Sequence, residues 1–131
     1  MPIRVLQMGP VQFIPADEKK RAETEVGYSP ASFSIVPLSL DDREEVQNLF
    51  AREGTFGSAV LRAVRGGLRG WSGILGADGQ PAPFQIGEDG KPLKATVELL
   101  PWDVVYQLAK EIKDRSFLSQ EARGNSVKPS T

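Results

Sequence analysis

Few side chains in this sequence have types and spacing suited to chemistry. Asp41–Asp42 and Glu111–Asp114 lie in helical patterns, and two carboxylates held at separated pKa values are the minimum for general acid–base hydrolysis. Both pairs sit among basic residues, Arg43 beside the first and Lys110 and Lys113 beside the second, which is the pattern of a solvated helix face. The stretch "ADGQPAPFQIGEDG" places Asp78, Glu88 and Asp89 around glycines and invites comparison with a calcium loop. That loop needs oxygen ligands at alternating positions closed by a Glu. Pro81, Ala82, Pro83 and Phe84 interrupt the ladder, leaving ordinary Asp-Gly turn chemistry. The chain has no cysteine and no histidine, so disulfides, thiolate metal sites and a Ser-His-Asp triad are excluded. The residue inventory points to no catalytic group, no cofactor set, no metal site and no enzyme.

Arg62, Arg65 and Arg69, with Arg-Gly-Gly at 65–67, raise the question of RNA stacking on guanidinium groups. Residues 55–95 hold five basic and three acidic side chains, and the whole chain 16 and 17. Nucleic-acid surfaces are more strongly basic than this, so the arginines read as a solvated helix face and nucleic acid is not an expected partner. No apolar run approaches the length of a membrane span, and Pro2, Pro10 and the charges that follow break any signal-peptide pattern. No membrane association is expected. Trp71 and Trp102 read as core anchors, with one reservation: an aromatic left partly exposed marks an assembly surface, because interfaces concentrate Trp, Tyr and Arg.

The elements that must position these residues follow from periodicity. Ile3 and Val5, then Val11, Phe13 and Ile14, form two short stretches around Gly9-Pro10 and predict two strands. Residues 16–32 are polar, then rich in Gly and Pro, and predict a mobile arm or loop. In "SFSIVPLS", Phe33 and Ile35 alternate with serines and predict a third strand ending at Pro37. Ser39 and Asp42 stand at capping-box spacing and start a helix running to about Arg52, with Leu40, Val46, Leu49 and Phe50 as its apolar stripe and Gly54 as its stop. Thr55 caps a second helix with Phe56, Val60, Leu61 and Val64 on its apolar face, ended by Gly66-Gly67. "GGLRGWSGILGADGQPAPF" then reads as a hairpin about Asp78-Gly79, in which Gly67 and Gly70 permit close approach under Trp71, followed by a second turn at Asp89-Gly90. Pro101 opens a third helix, with Trp102, Val105, Leu108, Ala109 and Ile112 facing the core and an end near Ser116. The sequence shows no evident internal repeat. The reading is α+β: one compact domain over residues 1–118, built from three main helices and several short antiparallel strands and hairpins, with the arm at 16–32 and a flexible tail at 119–131.

The order of these motifs resembles a group of small morphogenesis proteins from tailed phages and prophages, over roughly Phe33 to Ser126. The shared features are a strand ending in Pro37-Leu38, a charged helix, the Gly-Leu-x-Gly-Trp segment from Gly67 to Trp71, Asp78-Gly79, and Pro83-Phe84. Leu100-Pro101, the Leu-Ser-x-Glu segment from Leu118 to Glu121, and Asn125-Ser126 complete the set. The extra Asp89-Gly90 turn and the long N-terminal arm depart from the simplest pattern. Such proteins are often tail assembly chaperones, so the resemblance implies binding to the tape-measure or tail-tube protein in the host bacterial cytoplasm, with self-association also open. The alternative it leaves is a structural protein of the virion head, neck or tail. Phe56, Val60, Trp71, Phe84 and Trp102 are the expected partner-binding residues, as apolar anchors for an amphipathic helix.

Overall fold

The computed structural model describes Ile3, Val5, Leu6 and residues 8–117. Among these residues the fold is α+β. Its order is β1 (Val11–Phe13), α1 (Ala16–Thr24), β2 (Ser32–Ile35), α2 (Leu40–Ala51), α3 (Phe56–Gly67), β3 (Leu68–Ser72), α4 (Lys94–Val97) and α5 (Trp102–Phe117). The strands form one antiparallel sheet in the order β1-β2-β3. β2 is central because its alternation fits a half-buried strand: Phe33 and Ile35 are sealed while Ser32 and Ser34 are only partly covered. Phe33 stands opposite Phe13 on one side and Trp71 on the other, and the β2–β3 register shifts between Ser34 and Ile35.

The core lies where this sheet meets α3 and α5. Ile35, Leu38, Val60, Val64, Leu108 and Ile112 are fully buried, and each such aliphatic side chain contributes about 1.5–3 kcal/mol relative to exposure. Ser39 caps α2 by accepting a 3.2 Å hydrogen bond from the Asp42 amide, as its spacing predicted. α3 runs directly into β3, and Gly67 makes the junction fit. A Cβ there would lie 2.5 Å from Ile112 Cγ2 and 2.8 Å from the Val36 carbonyl oxygen, while the Val36 amide donates to the Gly67 carbonyl at 2.8 Å. The close approach is therefore to α5 and the end of β2, not to Trp71. Gly70 has nothing nearer than 3.9 Å.

Five features differ from the sequence reading. Trp102, read as a core anchor facing inward, is 56% exposed because it is the first residue of α5. Residues 16–32, read as an arm, contain α1, whose Ala, Glu, Lys and Arg residues have high helix propensity. No α1 side chain is buried, which is why apolar periodicity did not reveal it. The helix is tied down through Glu18, which accepts hydrogen bonds from the Tyr28 hydroxyl at 2.6 Å and the Ala31 amide at 2.8 Å. Ile3 and Val5 are in no strand and are 97% and 85% exposed, lacking a partner strand among the described residues. Leu40, placed in the α2 stripe, is 72% exposed because it is the first helical residue and projects past the core. Finally, the chain does contain a repeat. Residues 75–81 and 86–92 share the pattern apolar-Gly-x-Asp-Gly-x-Pro. Each closes with the same bonds: Gly76 and Gly79 donate to Gln80 and Gly76 carbonyls, as Gly87 and Gly90 do to Lys91 and Gly87. Asp78 and Asp89 each accept from the amide two residues on at 3.0 Å. The anticipated tail, 119–131, lies outside the described residues.

Candidate functional site

Gly54, at a φ of 82°, ends the α2 connection. Thr55 stands at the N-cap position of α3, but its side chain makes no cap bond there; the hydroxyl proton is shared between the Arg52 and Leu49 carbonyls, folding the end of α2 onto the start of α3. That turn brings Phe50 and Phe56 together with ring centroids 5.7 Å apart. Phe56 in turn meets Tyr106 of α5 at 5.9 Å. Tyr106 lies one turn beyond Trp102, which Pro101 places as the first residue of α5. An i, i+4 pair shares one helix face, so Trp102 and Tyr106 form a stripe beside the buried face carried by Val105, Leu108 and Ile112.

This row remains open to solvent. Phe56 is 50% exposed, Trp102 56% and Tyr106 43%. Next to it runs a groove of about 460 Å³ floored by Gly57, Leu61, Val97, Leu100 and Val105, with Trp102 as one wall. Lys94 and Glu98, 4.0 Å apart, supply the polar rim. Apolar concavities rimmed by polar groups are among the surfaces at which proteins meet partners or ligands.

Of the expected anchors, Phe56 and Trp102 lie on this row. Val60 does not: it shares the Phe56 face but is fully buried, because it lies one turn further into α3, whereas Phe56 is the first helical residue. Trp71 and Phe84 belong to a separate stack. Their rings meet edge-on at 5.1 Å, Trp71 meets Phe33 at 6.4 Å, and the indole N–H donates to the Ala82 carbonyl at 3.0 Å. They hold the first hairpin to the sheet. Tyr106 and Phe50 were missed by the sequence reading, although Tyr106 follows Trp102 by one helical turn and that spacing was the available signal.

A second constellation surrounds Asp42, which is 2% exposed. Its Oδ1 accepts from Arg62 Nε and Nη2 at 3.1 and 3.0 Å, and its Oδ2 from Lys91 Nζ at 2.9 Å. Burial alone pushes its pKa up; the hydrogen bonds and charges of Lys91 and Arg62 together outweigh burial and hold the carboxyl below its ordinary value. The Asp41–Asp42 pair is thus divided, with Asp41 exposed. Glu111, from the other acid pair, bonds Arg115 at 2.7 Å. The three arginines are not a uniform solvated row either: Arg65 Nε donates to the Pro92 carbonyl and Arg69 Nη1 to the Leu68 carbonyl, each at 3.0 Å. No group of three or more His, Cys, Asp or Glu able to hold a metal occurs among the described residues, nor any helix there long and apolar enough to cross a membrane. Set against family models, curated proteins and solved structures, the chain matches none.

Proposed function

We propose that this chain acts by docking an amphipathic helix of another protein, as a tail assembly chaperone that covers apolar segments of a tape-measure protein until tail-tube protein takes its place. The observation that supports this reading is the half-exposed aromatic row Phe56–Tyr106–Trp102 beside an open apolar groove. Aromatic anchors next to a pocket are where interface energy concentrates. The phage-like motifs of the sequence supply the partner class. Coexpression with a tape-measure fragment tests it. The expected result is that the wild-type chain keeps the fragment soluble and that Phe56→Ser with Trp102→Ser, folded by circular dichroism, does not. An unchanged soluble yield with the double variant rejects the groove as the docking site.

A permanent place in the virion is favoured by a different observation. A second apolar groove, about 420 Å³, is lined by Ile74, Leu75, Leu99 and Val104, with Leu75 66% and Leu99 60% exposed. Two unlike apolar faces suit a subunit making repeated head-to-tail contacts. Mass spectrometry of mature particles separates the readings: stoichiometric presence supports the virion subunit and absence supports the chaperone.

A further inference from the structure

Beside the Asp42 constellation lies a small niche of about 150 Å³, lined by Arg62, Arg65, Gly66, Asp89 and Lys91. Arg62 and Lys91 each direct part of their hydrogen-bonding capacity inward to Asp42. Arg65 uses only Nε, on the Pro92 carbonyl, and both its terminal nitrogens have no acceptor among the described residues. The Pro92 bond orients the guanidinium while leaving its outer fork open. Asp42 is occupied by two cations, and Asp89 Oδ1 takes the Lys91 amide, which leaves Asp89 Oδ2 as an open acceptor at the edge of the niche. Three cations therefore face two carboxylates, an excess of one positive charge. Gly66 lets α3 pack closely beneath the niche: any Cβ there would stand 2.6 Å from the buried Leu38 Cδ2 and 3.1 Å from Asp42 Oδ2.

We infer that the Arg62–Arg65–Lys91 niche binds a compact oxyanion of the phosphate class, with the free Arg65 fork as its principal ligand. A guanidinium fork matches two oxygens of such a group, and Lys91 adds a point charge. Asp42 holds Arg62 and Lys91 in place without neutralising the third cation. The proposal is independent of the apolar groove, since none of its ligands lines that groove.

The test is an NMR titration of the full chain with inorganic phosphate, with phosphoserine as a carried phosphate, and with sodium chloride at matched ionic strength. The expected result is a saturable shift of the Gly66 and Lys91 amides and of the Arg65 Nε–H with phosphate, absent with chloride. A response to phosphoserine alone identifies a phosphate carried on a larger molecule, and a response to both a free or carried group. Removing the fork in Arg65→Gln should weaken binding about tenfold or more, the scale of one charge-assisted hydrogen bond; Arg65→Lys, which keeps the charge, should retain part of the affinity. Linear drift indistinguishable from chloride with both phosphate and phosphoserine overturns the proposal. So does a phosphate response that leaves the wild-type Arg65 Nη–H signals unmoved as well as its Nε–H, a readout that needs no variant.

Discussion

Asp42 shows how one buried carboxylate can be stabilising only in company. Its solvation is lost on folding, and three hydrogen bonds from Arg62 and Lys91 replace it. Asp42→Ala leaves both cations without their partner and should cost about 3 kcal/mol; this is the low end for breaking a buried pair, because Arg62 retains substantial contact with water. Asp42→Asn keeps the shape and loses the charge, and should fall between this and wild type in urea denaturation. The pH dependence follows from the lowered pKa. Stability from the ionised carboxylate is fully present above its ordinary value of 3.8 and is lost as pH falls through the lower folded-state value. Acid titration of wild type and Asp42→Asn should therefore run in parallel above about pH 5 and converge only below it. A gap that closes near neutrality would mean another group is being read. Gly67 sets a second contest at this scale. Gly to Ala inside a helix usually gains about 1 kcal/mol, but here the added methyl meets Ile112 and the Val36 backbone oxygen. Backbone cannot step aside as a side chain can, so Gly67→Ala should destabilise by about 1–3 kcal/mol, the range for overpacking.

The two Asp-Gly hairpins are a comparison made within one molecule. Their turns are the same, with Gly79 and Gly90 at φ of 79° and 77°, yet their attachments differ. The first is held chiefly by Trp71, through its edge contact with Phe84 and its bond to Ala82. The second is fixed at four points: Pro92 is buried, Lys91 bonds Asp42, Arg65 bonds the Pro92 carbonyl, and Thr96 Oγ1 donates to Gln85. Local opening follows the number of such ties. Hydrogen exchange should therefore release the Gly76 and Gly79 amides before those of Gly87 and Gly90, and Trp71→Ala should speed the first pair without moving the second. Equal rates would show that the turn, not its anchorage, sets hairpin stability. The turns themselves were legible because Asp-Gly imposes its own geometry. α2, α3, α5 and β2 were legible for a similar reason, since their periodicity and caps point one way. α1 and the α4 turn were not. α1 buries nothing and is fixed by Glu18 reaching Tyr28 and Ala31, contacts that no pattern along the chain announces; α4 is too short to show a period.

At the scale of the whole molecule, several of the described residues named in the proposed phage resemblance are scaffold. Leu38 and Leu68 are buried, Gly67 is a packing necessity, and Trp71 and Phe84 pin a hairpin. The exposed row lies elsewhere, and the sequence could name Phe56 and Trp102 but not separate them from Val60 and Trp71. All four are large or branched apolar residues on faces the pattern assigns to the core; exposure depends on where each element begins and stops relative to the core, which periodicity does not encode. That separation makes a test in which each tryptophan answers a different question. Trp71→Phe removes the donor to Ala82 but preserves an aromatic contact with Phe33, so it should cost about 1 kcal/mol and leave Trp102 as the sole indole reporter. In that background, emission should be that of a solvated indole, and a docked amphipathic helix should shift it to the blue by burying Trp102. Trp102→Phe should do the reverse, giving emission from Trp71 that a partner leaves unchanged. Core truncation supplies the control for stability: Leu108→Ala should cost about 2–5 kcal/mol and lower Tm by about 6–25 °C, whereas Trp102→Ser should move Tm little because more than half of that residue already faces water. If partner addition shifts Trp71 and spares Trp102, binding occurs at the hairpin side, and the aromatic row between α3 and α5 is not where this chain meets its partner.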